Sequence, residues 1–292
     1  MNTRVKKTYE NLTLMCGVIC TLLFFSGCQP NTLQQASDLS ASHATISVPV
    51  LFRFNQAPLT CNQSIRLQSN AWSINKLAFF ISDLAVKTAS NDVWQSLPLS
   101  VSDWQTNNTA LLWFNHECGN QNDANFNHQL AINTSKAMWQ AATQVSFELA
   151  VPFIDNHTNP LIQASPLNIP DMFWSWQSGH KFVRIDLSTD ANTPQSSWSY
   201  HLGSVGCESA SSMRAPKHPC SMPNRFKITV NKSPNQAALF FDLAALLENI
   251  DPGTMRSCMF QKIEEVACIQ LADNVLSGKV FGFSIVNSEM VQ

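Results

Sequence analysis

The segment TISVPVLFRFN, residues 45–55, places an apolar residue at every second position. Successive side chains of a strand point to opposite faces, so Ile46, Val48, Val50, Phe52 and Phe54 would share one face. The segment therefore predicts a strand with one side in a hydrophobic core.

The same alternation recurs along the chain, and helical patterns are few. Alternating segments are QVSFELAVPF (144–153), HKFVRIDL (180–187), NRFKITVN (224–231) and KVFGFSIV (279–286), and NKLAFFISDLAVK (75–87) is a further strand candidate. Short helices are predicted in TSKAMWQAAT (134–143) and SCMFQKIEEVACIQLADN (257–274), the second with Cys258 and Cys268 near its ends, and ALFFDLAALLEN (238–249) passes from strand to helix. The prediction is a mainly β fold, an antiparallel β-sandwich with long loops and a few short helices, in one domain over residues 45–292.

The first residues have the features of an export signal. Arg4, Lys6 and Lys7 precede an almost wholly apolar run from Leu12 to Phe25, and Ser26-Gly27-Cys28 follows. A basic start, a short apolar stretch and a small-residue site indicate a secretory signal rather than a membrane span. We predict a lipoprotein signal over residues 1–27, with Cys28 as the lipid anchor, although a plain signal peptide remains an alternative.

The residue after the anchor bears on location. Gln29 is not the aspartate that retains lipoproteins at the inner membrane, so an exported bacterial lipoprotein on the periplasmic face of the outer membrane is expected. Residues 28–44 are polar and rich in Ser, Gln and Ala, which is typical of a flexible tether.

Composition excludes several function classes. From Cys28 onward the chain has 15 basic and 19 acidic residues, a net charge of −4 without a basic block, which argues against nucleic acid as a partner. Only nine glycines occur, and the chain lacks GxSxG, HExxH, Walker and GxGxxG motifs. An enzyme is therefore not expected, although a serine hydrolase without a motif stays open.

Six cysteines remain beyond Cys28, and an even number in an exported chain is typical of disulfides. Proximity along the sequence favours Cys207–Cys220 and Cys258–Cys268, which leaves Cys61–Cys118. None lies in a CxxC pair, so a zinc knuckle or a thioredoxin-type site has little support. The fold is predicted to be stapled by disulfides.

The segment MFWSWQSGHKFVRIDL, residues 172–187, contains Trp174 and Trp176, which would point to one face if the segment were extended. Such a pair could be a stacked aromatic pair on a sheet, a ligand platform or an indole that is itself oxidised. The histidines of the mature chain could ligate a metal, because neutral imidazole is the commonest metal ligand. For each histidine taken alone, a structural role is the more common one.

These residues together resemble a known family. PLNIPDMFWSWQSGHKFVRIDL, HLGSVGC and CSMPNRFKITV, with LFRFNQAPLTC, NKLAFFISDLAV and ALLWFNHECG before them, resemble the MbnP-like copper-binding proteins, also described as metallo-mystery pair system four-Cys motif proteins. Cys61, Cys118, Cys207 and Cys220 match the four named cysteines, and Cys258 and Cys268 would be an extra pair. The resemblance covers nearly all of residues 46–245.

The resemblance implies a periplasm-facing protein that binds copper, as Cu(I) or Cu(II). It also implies a MauG-like di-haem cytochrome c peroxidase as the partner, which converts a tryptophan of this protein into kynurenine. By position, Trp176 is the first candidate for that modification and Trp174 the second. His201 lies in the matching motif and is the first candidate ligand, His116 or His157 would supply the second, and His180 ranks lower because the family usually has tyrosine there.

A different function class also fits the sequence. The protein could be a binding or structural lipoprotein module of the outer membrane that uses the tryptophan pair as a platform for stacking a ligand such as a carbohydrate. A neighbouring gene for a di-haem peroxidase would favour copper, whereas a polysaccharide-utilisation operon would favour the platform.

Overall fold

The computed structural model describes residues 44–116, 126–259 and 265–285. The predicted signal peptide, the anchor Cys28, residues 29–43 of the tether and Cys118 lie outside the described residues. The strands are β1 (Thr45–Phe54), β2 (Ala57–Pro58), β3 (Ser64–Leu67), β4 (Asn70–Thr88), β5 (Asn91–Ser96), β6 (Thr109–Trp113), β7 (Gln129–Asn133), β8 (Ala142–Leu149), β9 (Phe173–Ser175), β10 (Gly179–His180), β11 (Val183–Ser188), β12 (Ser197–Leu202), β13 (Phe226–Asn231), β14 (Ala238–Asp242) and β15 (Phe281–Ser284).

Strand β4 organises the larger sheet, which has eight strands in the order β12-β11-β4-β8-β13, with β3, β5 and β6 also paired to β4. Ala78 of β4 lies opposite both Trp113 of β6 and Arg184 of β11, so β6 and β11 pair with different edges of β4. Ser82 of β4 likewise lies opposite both β6 and β8. Strands β11 and β8 therefore share one edge of β4.

The two strands on that edge do not meet. The register of β11 along β4 stops at Phe79, and that of β8 begins at Ser82. The chain leaves β8 after Leu149 and enters β11 at Val183, so residues 150–182 form an excursion that starts and ends at this gap. The tryptophan pair lies on that excursion. The pairing of β8 and β11 with β4 therefore fixes both ends of the segment that carries the pair.

The smaller sheet has the order β15-β14-β1-β2, with β7 also paired to β1. Its pairs are antiparallel except β1 and β14, which run parallel with Val50 opposite Leu239. This pair departs from the predicted antiparallel arrangement. Parallel neighbours need a long crossover connection, and here the whole larger sheet lies between the two strands in the sequence.

The two sheets pack face to face through phenylalanine side chains. The Phe79 ring of β4 lies 4.8 Å from that of Phe241, 5.6 Å from that of Phe281 and 5.8 Å from that of Phe52, all on the smaller sheet. All four side chains are buried. Phe52 belongs to the alternating segment that predicted a one-sided core strand, so the predicted β-sandwich is confirmed.

The helices of the described residues are short. The α-helices are α1 (Lys136–Ala141), α2 (Phe153–Asn156), α3 (Leu243–Leu246) and α4 (Val266–Leu276), and single 3-10 turns lie at Pro160–Ile162 and Pro170–Met172. Ser135 caps α1 by accepting a hydrogen bond from the Met138 N–H, and Asp242 caps α3. Within the described ranges, no helix is long and apolar enough to cross a membrane.

Two predicted disulfides are present, Cys207–Cys220 and Cys258–Cys268. Cys61 is also disulfide-bonded, and its predicted partner Cys118 lies outside the described residues. The predicted helix within residues 257–274, with Cys258 and Cys268 near its ends, is confirmed only from Val266 onward, and the placement of Cys258 in it is wrong. The backbone N–H of Cys258 donates to the Ser199 carbonyl, and its carbonyl accepts from the His201 N–H, so Cys258 lies along the edge of β12. Of the two cysteines, only Cys268 is helical.

Candidate metal centre

His157 lies at the centre of the excursion between β8 and β11, one residue after α2, and is only 4% exposed. Its Nδ1 is 3.3 Å from the Trp176 carbonyl oxygen, and its Nε2 is 3.2 Å from Asn156 Nδ2. A carbonyl can only accept and an amide nitrogen can only donate, so Nδ1 carries the proton and Nε2 the lone pair. Burial lowers the pKa of His157, and the hydrogen bond to Trp176 opposes that shift. The imidazole is therefore held neutral in one tautomer, the form in which histidine ligates metals.

The lone pair of His157 faces a disulfide. Nε2 lies 3.5 Å from Cys220 Sγ, and the ligand atoms of His157, Cys207 and Cys220 all lie within 4.8 Å of one another. Among the described residues, this is the one group of three or more His, Cys, Asp or Glu side chains with that spacing. The geometry suits a metal ion, but the two sulfurs are bonded to each other.

Trp176 and His157 bind each other reciprocally. The indole Nε1–H of Trp176 donates to the His157 carbonyl oxygen at 2.5 Å, while the His157 ring donates to the Trp176 carbonyl. Trp176 lies in the turn that follows β9, so the extended conformation from which a shared face was predicted ends at Ser175. The indole most directly coupled to a histidine is thus that of Trp176.

Trp174 has different surroundings. It lines a pocket of about 240 Å³ together with Gln177, Ser204, Cys207 and Met259. Its ring lies against the backbone of Gly203, where an added Cβ would come within 2.5 Å of Trp174 Cζ3. Trp174 therefore offers an indole at the wall of a pocket that Cys207 also lines.

Asn156 organises this region, and sequence reasoning missed it. Its Oδ1 accepts from the His180 N–H at 2.7 Å, and its Nδ2 donates to His157 Nε2. At Gly179 the backbone has φ +77°, and a Cβ there would fall 2.4 Å from Asn156 Oδ1. One buried amide thus links α2 to the hairpin of β9 and β10, and no sequence motif marks it.

His180 is fully buried, and its ring is held by one hydrogen bond, from Nε2–H, whereas Nδ1 only approaches Asn156 Oδ1, since both atoms carry lone pairs. Nε2 lies 2.8 Å from the Leu167 carbonyl and Nδ1 lies 3.3 Å from Asn156 Oδ1, while Phe80 and Phe173 pack edge-on to the ring. Burial lowers the pKa of His180 to about 4. The structure therefore places this candidate ligand as a neutral core histidine with Nε2–H donating to Leu167.

The Asn156→Ala variant should lose about 1–3 kcal/mol of unfolding free energy, because it leaves the buried His180 N–H without its acceptor. Chemical denaturation monitored by tryptophan fluorescence measures this. The control is Asn75→Ala, which removes an exposed acceptor for Ser188 and should change stability by less than about 0.5 kcal/mol. Equal effects of the two substitutions would contradict the role of Asn156.

His201 lies on β12 beside a different network. Its Nε2 is 2.7 Å from Asp186 Oδ1, and Ser199 and Arg184 also donate to that carboxylate. Burial alone would raise the pKa of Asp186, but these hydrogen bonds hold it well below its usual range. Its other ring nitrogen, Nδ1, is buried with no hydrogen-bond partner among the described residues. A carboxylate that orients an imidazole in this way is typical of metal-ligating histidines.

His116 follows β6 and is half-buried, and its carbonyl accepts from the Asn62 N–H. The described residues do not bring His116, His180 or His201 into a three-ligand group with His157. The sequence singled out these histidines as candidate ligands, but it gave no sign that His157 contacts the disulfide. Only the fold brings residues 157 and 220 together.

Comparisons with known proteins agree with the motifs. The model of the MbnP family matches residues 43–260. Among solved structures, MbnP from Methylosinus trichosporium is similar with a TM-score of 0.64 and 20% sequence identity, over 78% of this chain and 86% of that one. At this identity the likeness supports the fold alone. No curated protein matches the sequence. Because the family model spans well over half of its residues, the chain belongs to the MbnP family.

Proposed function

We propose that this protein binds copper outside the cytoplasm and is the substrate, rather than the catalyst, of a MauG-like di-haem cytochrome c peroxidase. Membership of the MbnP family supports a copper-related periplasmic role. In this proposal Cys28 carries the lipid anchor to the outer membrane and residues 29–44 form the tether. The folded domain then presents the excursion of residues 150–182 to its partner.

The contact between Trp176 and His157 carries the proposal. The indole Nε1–H donates to the backbone carbonyl of His157, and the imidazole Nδ1–H donates to the backbone carbonyl of Trp176, so each ring is fixed by the main chain of the other residue. Ring opening of Trp176 would convert its indole nitrogen into an aryl amine and add a ketone. These donors would form where a histidine is already oriented. Trp174, at the wall of the adjacent pocket, is the second candidate for the modification.

The nitrogen donors fit copper. His157 offers Nε2 and is oriented by a carbonyl, and His201 offers a buried, unpartnered Nδ1 and is oriented by a carboxylate. Imidazole suits copper in both oxidation states, and softer donors shift the preference towards Cu(I). In this proposal His157 is the first ligand, because it is hydrogen-bonded to Trp176. His201 and His116 are the candidates for further ligands, and His180 positions Asn156 and the hairpin.

The proposed modification balances with peroxide as the oxidant. Two molecules of hydrogen peroxide add two oxygen atoms across the C2–C3 bond of the indole, which breaks, and two molecules of water leave. Hydrolysis of the resulting formamide consumes one water, releases formate and gives kynurenine. The residue thereby exchanges one carbon atom for one oxygen atom. The oxidising equivalents come from the haem partner, and this chain supplies the positioned indole.

A second function has one observation in its favour. Trp174 forms a wall of a pocket that also contains the polar side chains of Gln177, Ser178 and Ser204. An indole beside amide and hydroxyl groups suits a sugar ring, which would make the protein a binding module of the outer membrane. This alternative would be favoured if a carbohydrate shifted the NMR signals of the Trp174 ring in a saturable titration. Copper should then leave the same signals unchanged.

Copper titration tests the proposed function. The full chain, prepared with and without the haem enzyme, is titrated with Cu(I) against a chromophoric chelator. We expect about one tightly bound ion in the modified protein and loss of that ion in His157→Gln, because a primary ligand is removed. His218→Gln, an exposed histidine of the neighbouring loop, is the matched control and should retain binding. Identical titrations of the two variants would contradict the assignment of His157.

A further inference from the structure

The Cys207–Cys220 disulfide differs from an ordinary staple in what surrounds it. His157 Nε2 is unprotonated and lies 3.5 Å from Cys220 Sγ, and it also accepts a hydrogen bond from Asn156 Nδ2 at 3.2 Å. The Cys258–Cys268 bridge is the natural comparison. It too is buried, but within the described residues it forms no group of three potential ligands. Among the described residues, Cys207–Cys220 is thus the bridge that forms such a group with an imidazole.

This disulfide is also reachable. Cys207 lines the pocket of about 240 Å³ that contains Trp174 and Met259. Cys220 lines a second pocket, of about 610 Å³, formed by residues 151–156 together with Pro219 and Arg225. The bond therefore lies between two openings, although both cysteines are themselves almost fully buried. Each of the two cysteines therefore borders an opening through which a small dithiol or a metal ion could approach.

Oxidation state decides whether these atoms can bind a metal. The thiolate is the form of cysteine that ligates metals, so in the disulfide state His157 is the only strong donor of the three. Exchange with a dithiol reductant transfers two electrons and two protons to the bridge, which opens to two thiols, while the dithiol becomes a disulfide. A metal ion then displaces both thiol protons. The resulting set of one imidazole and two thiolates is soft and suits Cu(I).

We propose that the Cys207–Cys220 disulfide is a redox gate on a metal site, and that its reduction by a dithiol creates a Cu(I) site made of His157, Cys207 and Cys220. The choice of copper rests on the proposed function, whereas the gate rests on the geometry of these three side chains. In the reduced protein the two thiolates would then bind Cu(I) strongly, and reoxidation to the disulfide would release it. This site shares His157 with the copper site that depends on kynurenine.

The test measures Cu(I) bound per chain before and after reduction. The full chain without the haem enzyme is reduced with dithiothreitol, freed of reductant under anaerobic conditions, and titrated with Cu(I) against a chromophoric chelator. We expect one additional bound ion after reduction, with thiolate-to-copper charge transfer in the ultraviolet. X-ray absorption should report two sulfur neighbours and one nitrogen neighbour.

Matched variants separate this site from the other thiols that reduction exposes. Cys207→Ser/Cys220→Ser should lose the additional ion, and His157→Gln should weaken its binding. Cys258→Ser/Cys268→Ser keeps the gate and should gain the ion as the wild type does. Retention of the ion in Cys207→Ser/Cys220→Ser, or its loss in Cys258→Ser/Cys268→Ser alone, would overturn the proposal.

The gate and the proposed function fail in different ways. If the oxidised, enzyme-treated protein binds copper but reduction adds no sulfur-ligated ion, the gate is wrong and the proposed function stands. If reduction creates the sulfur site while both tryptophans stay intact beside an active haem enzyme, the gate stands and the modification is wrong.

Discussion

Replacing Trp176 with phenylalanine is expected to abolish the oxidative modification and with it the copper binding that depends on that modification. Phenylalanine keeps an aromatic ring but has no C2–C3 bond to cleave and no nitrogen to become an amine. The variant also loses the hydrogen bond from Nε1 to the His157 carbonyl, which costs about 0.5–1.5 kcal/mol of stability and should leave the protein folded. Mass spectrometry and Cu(I) titration after treatment with the haem enzyme measure both losses.

Trp174→Phe is the matched control, because it removes the neighbouring indole without touching the pairing of Trp176 with His157. This variant should keep the mass change and the copper binding. Circular dichroism checks that both variants fold. If Trp174→Phe loses the modification and Trp176→Phe retains it, the modified residue is Trp174 at the pocket wall. That result would contradict the role given to the Trp176–His157 contact.

The unfolding free energy should fall steeply as the pH is lowered from about 6.5 towards 4. Burial lowers the pKa of His180 to about 4, so the folded state stays unprotonated at this position while the unfolded chain, with the usual histidine pKa, takes up a proton. Stability rises with pH wherever the unfolded state binds more protons. The contribution of His180 is complete above the unfolded pKa and is lost progressively down to the folded one, at about 3 kcal/mol in total.

His128 adds to this effect with the same sign, because burial lowers its pKa to about 4 as well. Urea unfolding at a series of pH values measures the slope. His180→Gln keeps an amide donor for the Leu167 carbonyl but cannot titrate, so its slope between pH 6.5 and 4 should be clearly shallower than that of the wild type, with the remainder carried by His128 and His157. An unchanged slope in this variant would show that His180 is not the buried, neutral group described above.

The sequence predicted the secondary structure well where it depends on neighbouring residues, through alternation of apolar side chains and helix capping. Alternation in residues 45–55 and 224–231 identified β1 and β13, and the Ser135 cap agrees with a helix that starts near Thr134. The parallel pairing of β1 with β14 could not be predicted, because it depends on a crossover of the whole larger sheet. Cys258 was misassigned to a helix because the partner that holds it extended, β12, is distant in sequence.

The candidate site was only partly predictable for the same reason. Trp174, Trp176 and His157 were singled out from composition and family motifs, and all three lie in the excursion that leaves the gap on β4. Their arrangement depends on Asn156, whose amide has no periodicity or motif that could mark it. The approach of His157 to Cys220 joins loops 63 residues apart, and sequence proximity could suggest the disulfide but not its imidazole neighbour.

The central claim is that Trp176 is converted into part of a copper site by a haem enzyme. The most direct measurement is the mass spectrum of the peptide that spans residues 172–187, taken from protein of the native envelope with and without the neighbouring di-haem enzyme. The claim predicts that one carbon is replaced by one oxygen at Trp176, only when the enzyme is present. If both indoles remain intact while the enzyme is active, the claim is contradicted and copper binding would rest on the histidines and the cysteine pair.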